Sequence, residues 1–148
     1  PAPVACITGG QGDLACALRD QLEAQGWQVH APGRQELDVT QATQVQAYFA
    51  GLDRIDLLVH NAGQTRDALL VKMDPADFQA LLDVHLKGAF LCAQAAIKRM
   101  VKQREGHLVT IGSFSALSGP VGQTNYAAAK AGLIGLTQSL AAEYGPRN

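Results

Sequence analysis

Tyr126 and Lys130 stand four residues apart in 123-QTNYAAAKAGLIG-135, and Ser113 lies thirteen residues before the tyrosine. On a helix, positions i and i+4 share a face, so phenol and ammonium would be neighbours. A cation held there favours phenolate over phenol and draws the hydroxyl from its ordinary pKa of about 10 towards the range of an acid–base catalyst. A serine hydroxyl folded back beside the phenol would put two hydrogen-bond donors on one substrate oxygen. Tyr-x-x-x-Lys is also a common pattern on solvated helix faces, so the triple becomes a site only if the rest of the chain supplies a partner for it.

The surrounding elements supply one. The run 123-QTNYAAAKAGLIGLTQSLAAEY-144 is rich in Ala and Leu and predicts a helix, and 107-HLVTI-111 before Ser113 predicts a buried strand. Upstream, 4-VACIT-8 is a first strand, followed by a glycine turn and a helix with leucines at 14, 18 and 22. A second strand is expected at 27-WQVHA-31, a short third at 36-ELDV-39, a helix from Gln41 to Ala50 with Thr40 as N-cap, and a fourth strand in 55-IDLLVHNAG-63. Asp74 as N-cap and Pro75 at the first helical position open a long helix that runs past Met100 to Gly106. Five strands alternating with helices predict an α/β, doubly wound, Rossmann-like parallel sheet, with ligands outside the carboxyl ends of the strands. Residues 1–148 read as a single domain.

The glycines of 8-TGGQG-12 fall between the first strand and the first helix, the place where backbone can approach a pyrophosphate and helix N–H groups can bind it. Gly9, Gln11 and Gly12 are the candidates there. Asp38 could accept a bond from an adenine amino group or merely finish the short third strand. Asn61, Ala62 and Gly63 form either an ordinary turn or a backbone surface against the adenosine ribose. No acid ends the second strand to take a ribose 2′-hydroxyl, whereas Arg34 could pair with a 2′-phosphate, so NADP(H) is expected over NAD(H).

Composition narrows the partners. With 47% hydrophobic residues the chain can bury one sizeable core, and its net charge of −1 argues against nucleic acid or an acidic membrane surface. No run approaches the roughly 18 apolar residues of a membrane span, and no basic leader is seen, which points to a soluble, cytoplasmic protein. Cys6, Cys16 and Cys92 have no metal spacing, so no metal is expected and the thiols read as small buried residues. The ending in AAEYGPRN suggests that a C-terminal part is absent.

TGGQG, LDV, HNAG and Ser113…Tyr126-x-x-x-Lys130, in that order along the whole chain, resemble the short-chain dehydrogenase/reductase family. The stretches 61-NAGQTRDALLVKM-73, 85-HLKGAF-90 and 123-QTNYAAAKAGLIG-135 are similar to its 3-oxoacyl-[acyl carrier protein] reductase and acetoacetyl-CoA reductase branch. The resemblance implies that Tyr126 is the general acid/base, that Ser113 polarises the substrate oxygen, and that Lys130 tunes the tyrosine and binds the nicotinamide ribose. It implies a carbonyl or alcohol substrate, two further strands beyond residue 148, and a homodimer or homotetramer paired through helices near 75–103 and 123–145. Three features depart from the pattern. Only two residues separate Gly9 from Gly12, a spacing closer to sugar-nucleotide reductases, with Ala15 at the last glycine and Asp13 beside the expected pyrophosphate. The chain passes from Arg34 to LDV without the helix that usually intervenes. His85 stands where the catalytic tetrad has asparagine, yet it also falls on the apolar series Phe78, Leu81, Leu82, Ala89 and Ala93, so it reads equally as a relay behind Lys130 or as a core histidine. An oxidoreductase is the leading expectation; the alternatives are an inactive family member that senses nucleotide or binds partners, and a sugar-nucleotide reductase.

Overall fold

A computed structural model describes residues 1–147. Four short strands, β1 (Val4–Ile7), β2 (Gln28–His30), β3 (Leu57–His60) and β4 (His107–Thr110), form one parallel sheet in the order β2-β1-β3-β4. Helices α1 (Asp13–Ala24), α2 (Ala42–Ala50), α3 (Pro75–Leu81), α4 (Gly88–Gln103), α5 (Ser115–Ser118) and α6 (Thr124–Tyr144) connect and cover them. The sheet's continuous apolar strands follow from this cover: β1 is buried at all four positions, and Leu58, Val59 and His60 of β3 are buried too. The order reverses between β1 and β3, which leaves a crevice at their carboxyl ends.

The expected doubly wound parallel sheet is present, with one correction to its strand count. The stretch 36–39 is a turn: the N–H groups of Glu36 and Leu37 both bond to the Gly33 carbonyl, and no strand lies beside it. Leu37 and Val39 nevertheless point into the main core with Val45, Phe49, Ile55, Leu58 and Met100, which accounts for the strand-like alternation. No helix separates β2 from this turn, as its length required. Thr40 is not the N-cap of α2; Gln41 holds that position without a side-chain bond, because the Thr40 hydroxyl is spent on Asp38 at 2.7 Å. In α1 the buried face is set by Ala15, with Leu18 and Leu22 packed behind it, while Leu14 is exposed.

The long helix starts as its sequence dictates, with Asp74 Oδ1 accepting from the Ala76 N–H at 2.8 Å and Pro75 at the first position. It is not uniform, however. Leu82–Lys87 form a π-helical turn in which the Gly88 N–H reaches back five residues to the Asp83 carbonyl. This wide turn rotates the two halves relative to one another, so Leu81, His85, Ala89 and Ala93 are buried and Phe78 is exposed. By length and composition 75–103 is long and apolar enough to cross a membrane, contrary to the expectation that no segment was. Here it packs against α2 and α6, and half of its most apolar window is buried. Cys6 and Cys92 are buried free thiols, which burial pushes well above the ordinary thiol range, and Cys16 is half-buried and also free.

Candidate functional site

Three backbone turns meet at the carboxyl ends of the strands. After β1, Gly9 adopts φ +63°, a conformation only glycine takes without strain, and its carbonyl accepts from the Gly12 N–H at 3.2 Å and from Asn61 Nδ2 at 3.3 Å. The Gly10 N–H donates to the Pro32 carbonyl at 2.9 Å, joining this turn to the one after β2, where the Gln11 side chain lies over Gly33. After β3, the Asn61 and Ala62 N–H groups both donate to Thr8 Oγ1, at 3.0 and 3.1 Å. Gly9, Gln11, Gly12, Asn61 and Ala62 are thereby brought into one surface.

Gly12 is the N-cap of α1 and no side chain caps that helix, so its first-turn N–H groups face outward. A nicotinamide dinucleotide fits this arrangement: free amides for a pyrophosphate, glycines at 9, 10 and 12 beside them, and the 61–63 backbone alongside. Asp13 in the same first turn opposes the anion, a real cost to binding. Asp38 is tied up locally, its Oδ1 accepting from the Thr40 N–H at 3.0 Å as well as from the hydroxyl. Burial disfavours its charge, but those two bonds and the nearby Arg34 charge outweigh it and hold the carboxyl below its ordinary range. Its second oxygen is the part left for a ligand. Arg34 is exposed at the end of the β2 turn.

Tyr126, Lys130 and Ser113, the residues expected to handle a proton, lie on α6 and just after β4. Lys130, only 6% exposed, donates from Nζ to the Ile111 carbonyl at 2.6 Å and stands 5.7 Å from the centroid of the Tyr126 ring. Burial lowers the lysine pKa from its ordinary value. The ammonium is thus held over the ring face by the end of the strand that leads to Ser113, within cation–π range. Ser113 Oγ accepts from the Ser115 N–H at 3.1 Å, which leaves its own hydrogen free to donate, and Ser115 Oγ in turn donates to Gln123 at the start of α6.

His85 also touches the tyrosine. Its ring meets that of Tyr126 edge-on at 5.3 Å, and its Nε2 lies 2.7 Å from the Gln64 carbonyl and 3.1 Å from the Gln64 N–H. The shorter contact makes Nε2–H the donor, and Nδ1 is buried without a partner. Burial lowers its pKa, with the Lys130 charge acting the same way against the Gln64 bond. Gly63 makes room for the ring: a Cβ there would come 2.2 Å from His85 Cε1. His85 is therefore 3% exposed and packed as a core residue is, yet packed directly on Tyr126 and hydrogen-bonded away from Lys130.

Two residues that sequence reasoning passed over shape the site. Asn125 is fully buried, donates to the carbonyls of Arg66 (2.9 Å) and Asp77 (3.3 Å), and accepts from the Tyr126 N–H at 2.7 Å. It pins the helix start, and with it the tyrosine, to α3 and the loop before it. Asn125→Ala should cost about 1–3 kcal/mol in urea unfolding, because three part-buried hydrogen bonds, to two carbonyls and from one N–H, are lost with the buried amide. His60 is the other: it lies within hydrogen-bond distance of both Thr8 and the π turn. Only the spacing of Asn125 next to Tyr126 could have drawn attention to either, since their partners are tens of residues distant in sequence.

Comparison with known proteins shows the family. The family model described as short chain dehydrogenase matches residues 34–148. The 3-oxoacyl-[acyl-carrier-protein] reductases of Aquifex aeolicus and Thermotoga maritima are each 42% identical over 146 residues, covering 96% and 93% of this chain and 58% of each relative. The corresponding Synechocystis reductase is 38% identical over 99% of this chain and 70% of its own length. A crystal structure of a short-chain dehydrogenase from Streptomyces avermitilis superposes with a TM-score of 0.94 at 25% identity, over all of this chain and 63% of that one. The chain thus spans a little over half the length of the first two relatives. A family model over residues 34–148 and relatives 38–42% identical over 93–99% of the chain mean that the chain belongs to the short-chain dehydrogenase/reductase family.

Proposed function

We propose that the full-length protein is an NAD(P)-dependent oxidoreductase interconverting a carbonyl and a secondary alcohol, with a 3-oxoacyl thioester as its substrate class. The observation that carries this reading is the buried Lys130 ammonium, anchored on Ile111 and facing the Tyr126 ring. Tyr126 gives the proton to the carbonyl oxygen in reduction and takes it back in oxidation. Ser113, whose hydrogen is free, donates to the same oxygen and stabilises charge as it develops. Lys130 holds a positive charge over the Tyr126 ring, fixed there by the Ile111 carbonyl. A bound nicotinamide supplies or accepts the hydride. Exposed Phe114, Leu117 and Val121 flank Ser113 and Tyr126 in the chain, an apolar border suited to an acyl group. The names of the similar reductases support the thioester class over a sugar nucleotide.

In this reading residues 1–148 act as one NAD(P)-binding unit in the cytoplasm. The apolar groove of about 240 Å³ along the outer edge of β4, lined by Ile97, Met100, Leu136 and Leu140, would receive further strands. Phe90 of α4 and Ile134 of α6 are exposed on faces that would pair in a homodimer or homotetramer. The second reading, a member without turnover that senses nucleotide or binds partners, draws on His85 being bonded to Gln64 and on Asp13, which weakens the hold of the open helix end on a cofactor.

The assay that separates them offers the full-length protein NADPH and NADH with acetoacetyl-CoA, simple ketones and the reverse alcohols. Turnover of the thioester is expected; nucleotide binding with no turnover on any of them would establish the second reading. NADP(H) is preferred in our reading because Arg34, exposed in the turn after β2, could pair with a 2′-phosphate. Arg34→Ala should lower the NADPH-to-NADH affinity ratio about tenfold, the loss of one charge-assisted contact. An unchanged ratio would remove Arg34 from the cofactor site.

A further inference from the structure

We propose that His60 is a positioning residue that links the nucleotide turn at Asn61–Ala62 to the π turn at residues 82–87, so that order imposed on one is transmitted to the other. The idea rests on the dinucleotide reading above, but the link itself is built from protein atoms. Thr8 Oγ1 accepts from two backbone N–H groups, those of Asn61 and Ala62. With both lone pairs engaged, its hydrogen is left for the third neighbour, His60 Nδ1, at 3.2 Å. Nδ1 is then the acceptor and the ring hydrogen must sit on Nε2, which donates to the Val84 carbonyl at 3.1 Å.

Val84 lies in the wide turn and directly precedes His85, whose ring rests on Tyr126 and bonds Gln64. Besides the direct contact of Gly63 and Gln64 with His85, a second path from the nucleotide turn runs through the His60 imidazole, only 3% exposed, to the turn that carries His85. Gly88 closes the other side: a Cβ there would lie 3.3 Å from His60 Cε1. Protonation would place a second N–H against a hydroxyl that has no lone pair to offer. The surroundings resist it: burial first, then the positive charge of Lys130 and that of His85 when protonated, hold the His60 pKa at about 4 against the Val84 bond. The link thus stays in its neutral form across the ordinary working range.

The test uses full-length protein and two readouts that need no turnover. Long-range proton–nitrogen spectra at pH 7 should show the His60 ring as the Nε2–H tautomer. Amide hydrogen exchange across residues 82–88 should slow when NADPH binds, by about fivefold for the equivalent of one hydrogen bond. In His60→Asn the amide can still accept from Thr8 but is too short to reach Val84. That variant should bind NADPH within about threefold of the natural protein and lose the slowing at 82–88. An Nδ1–H tautomer, or equal slowing in both proteins, would overturn the link. If His60→Asn does not fold, the tautomer decides. Failure of NADPH to bind the natural protein would count against the oxidoreductase reading, and the tautomer would still decide for or against His60.

Discussion

Replacing Tyr126 by phenylalanine should lower kcat by about 10²–10⁴ while leaving nucleotide affinity nearly unchanged. The ring makes the contacts that hold it: the edge-on packing with His85 and the approach of Lys130 Nζ to its face are properties of the aromatic carbons. The helix start is fixed through the Tyr126 N–H and Asn125, which the substitution does not touch. Only the transferable proton disappears. A binding titration beside steady-state kinetics separates the two effects. Near-normal kcat would refute the role of the tyrosine. A parallel collapse of nucleotide affinity would show instead that the hydroxyl holds the site together.

The second large effect is expected at Gly10. A Cβ there would lie 2.0 Å from the Ala31 carbonyl oxygen and 2.2 Å from its carbon, both backbone atoms that cannot rotate away. Gly10→Ala should therefore force the two turns apart, break the Gly10 to Pro32 bond, and cost roughly 3 kcal/mol or more in unfolding. Gly12 in the same turn behaves differently. Its φ is −73°, and the nearest atom to an added Cβ is the Gly9 oxygen at 3.5 Å, an ordinary contact. Gly12→Ala should fold with near-normal stability, so any loss of nucleotide affinity in it reports how closely a ligand approaches that surface. The pair of variants distinguishes a glycine needed by the protein from one needed by its ligand. If both melt like the natural protein, the packing of the first two turns has been misread.

These contrasts bear on what the sequence could reveal. The strands were legible because parallel strands covered on both faces must be apolar throughout, as in Val4–Ile7, and the start of the long helix was legible because Asp74 and Pro75 act locally. The stretch 36–39 misled for a physical reason: Leu37 and Val39 are buried with a spacing of two, as in a strand, but the intervening backbone bonds to Gly33. The Tyr126–Lys130 pair could be placed on one face from spacing alone. What could not be read was how the lysine is oriented, since its anchor, the Ile111 carbonyl, is nineteen residues away. The π turn is equally hidden, because one extra residue in a helical ring leaves no mark on an apolar pattern that already contains His85. The same holds for His60, whose two partners lie 52 and 24 residues distant.

The most direct test of the central claim follows the label on a reduced nicotinamide. Full-length protein is given NADPH carrying deuterium at the transferable position of C4, with acetoacetyl-CoA, and the product is examined by mass spectrometry and proton NMR. Acid–base work by Tyr126 on a carbonyl oxygen, paired with hydride delivery to carbon, predicts one deuterium on the new carbinol carbon, in a single configuration, and none on the exchangeable oxygen. Product without deuterium at that carbon, or no product from protein with NADPH bound, would contradict it.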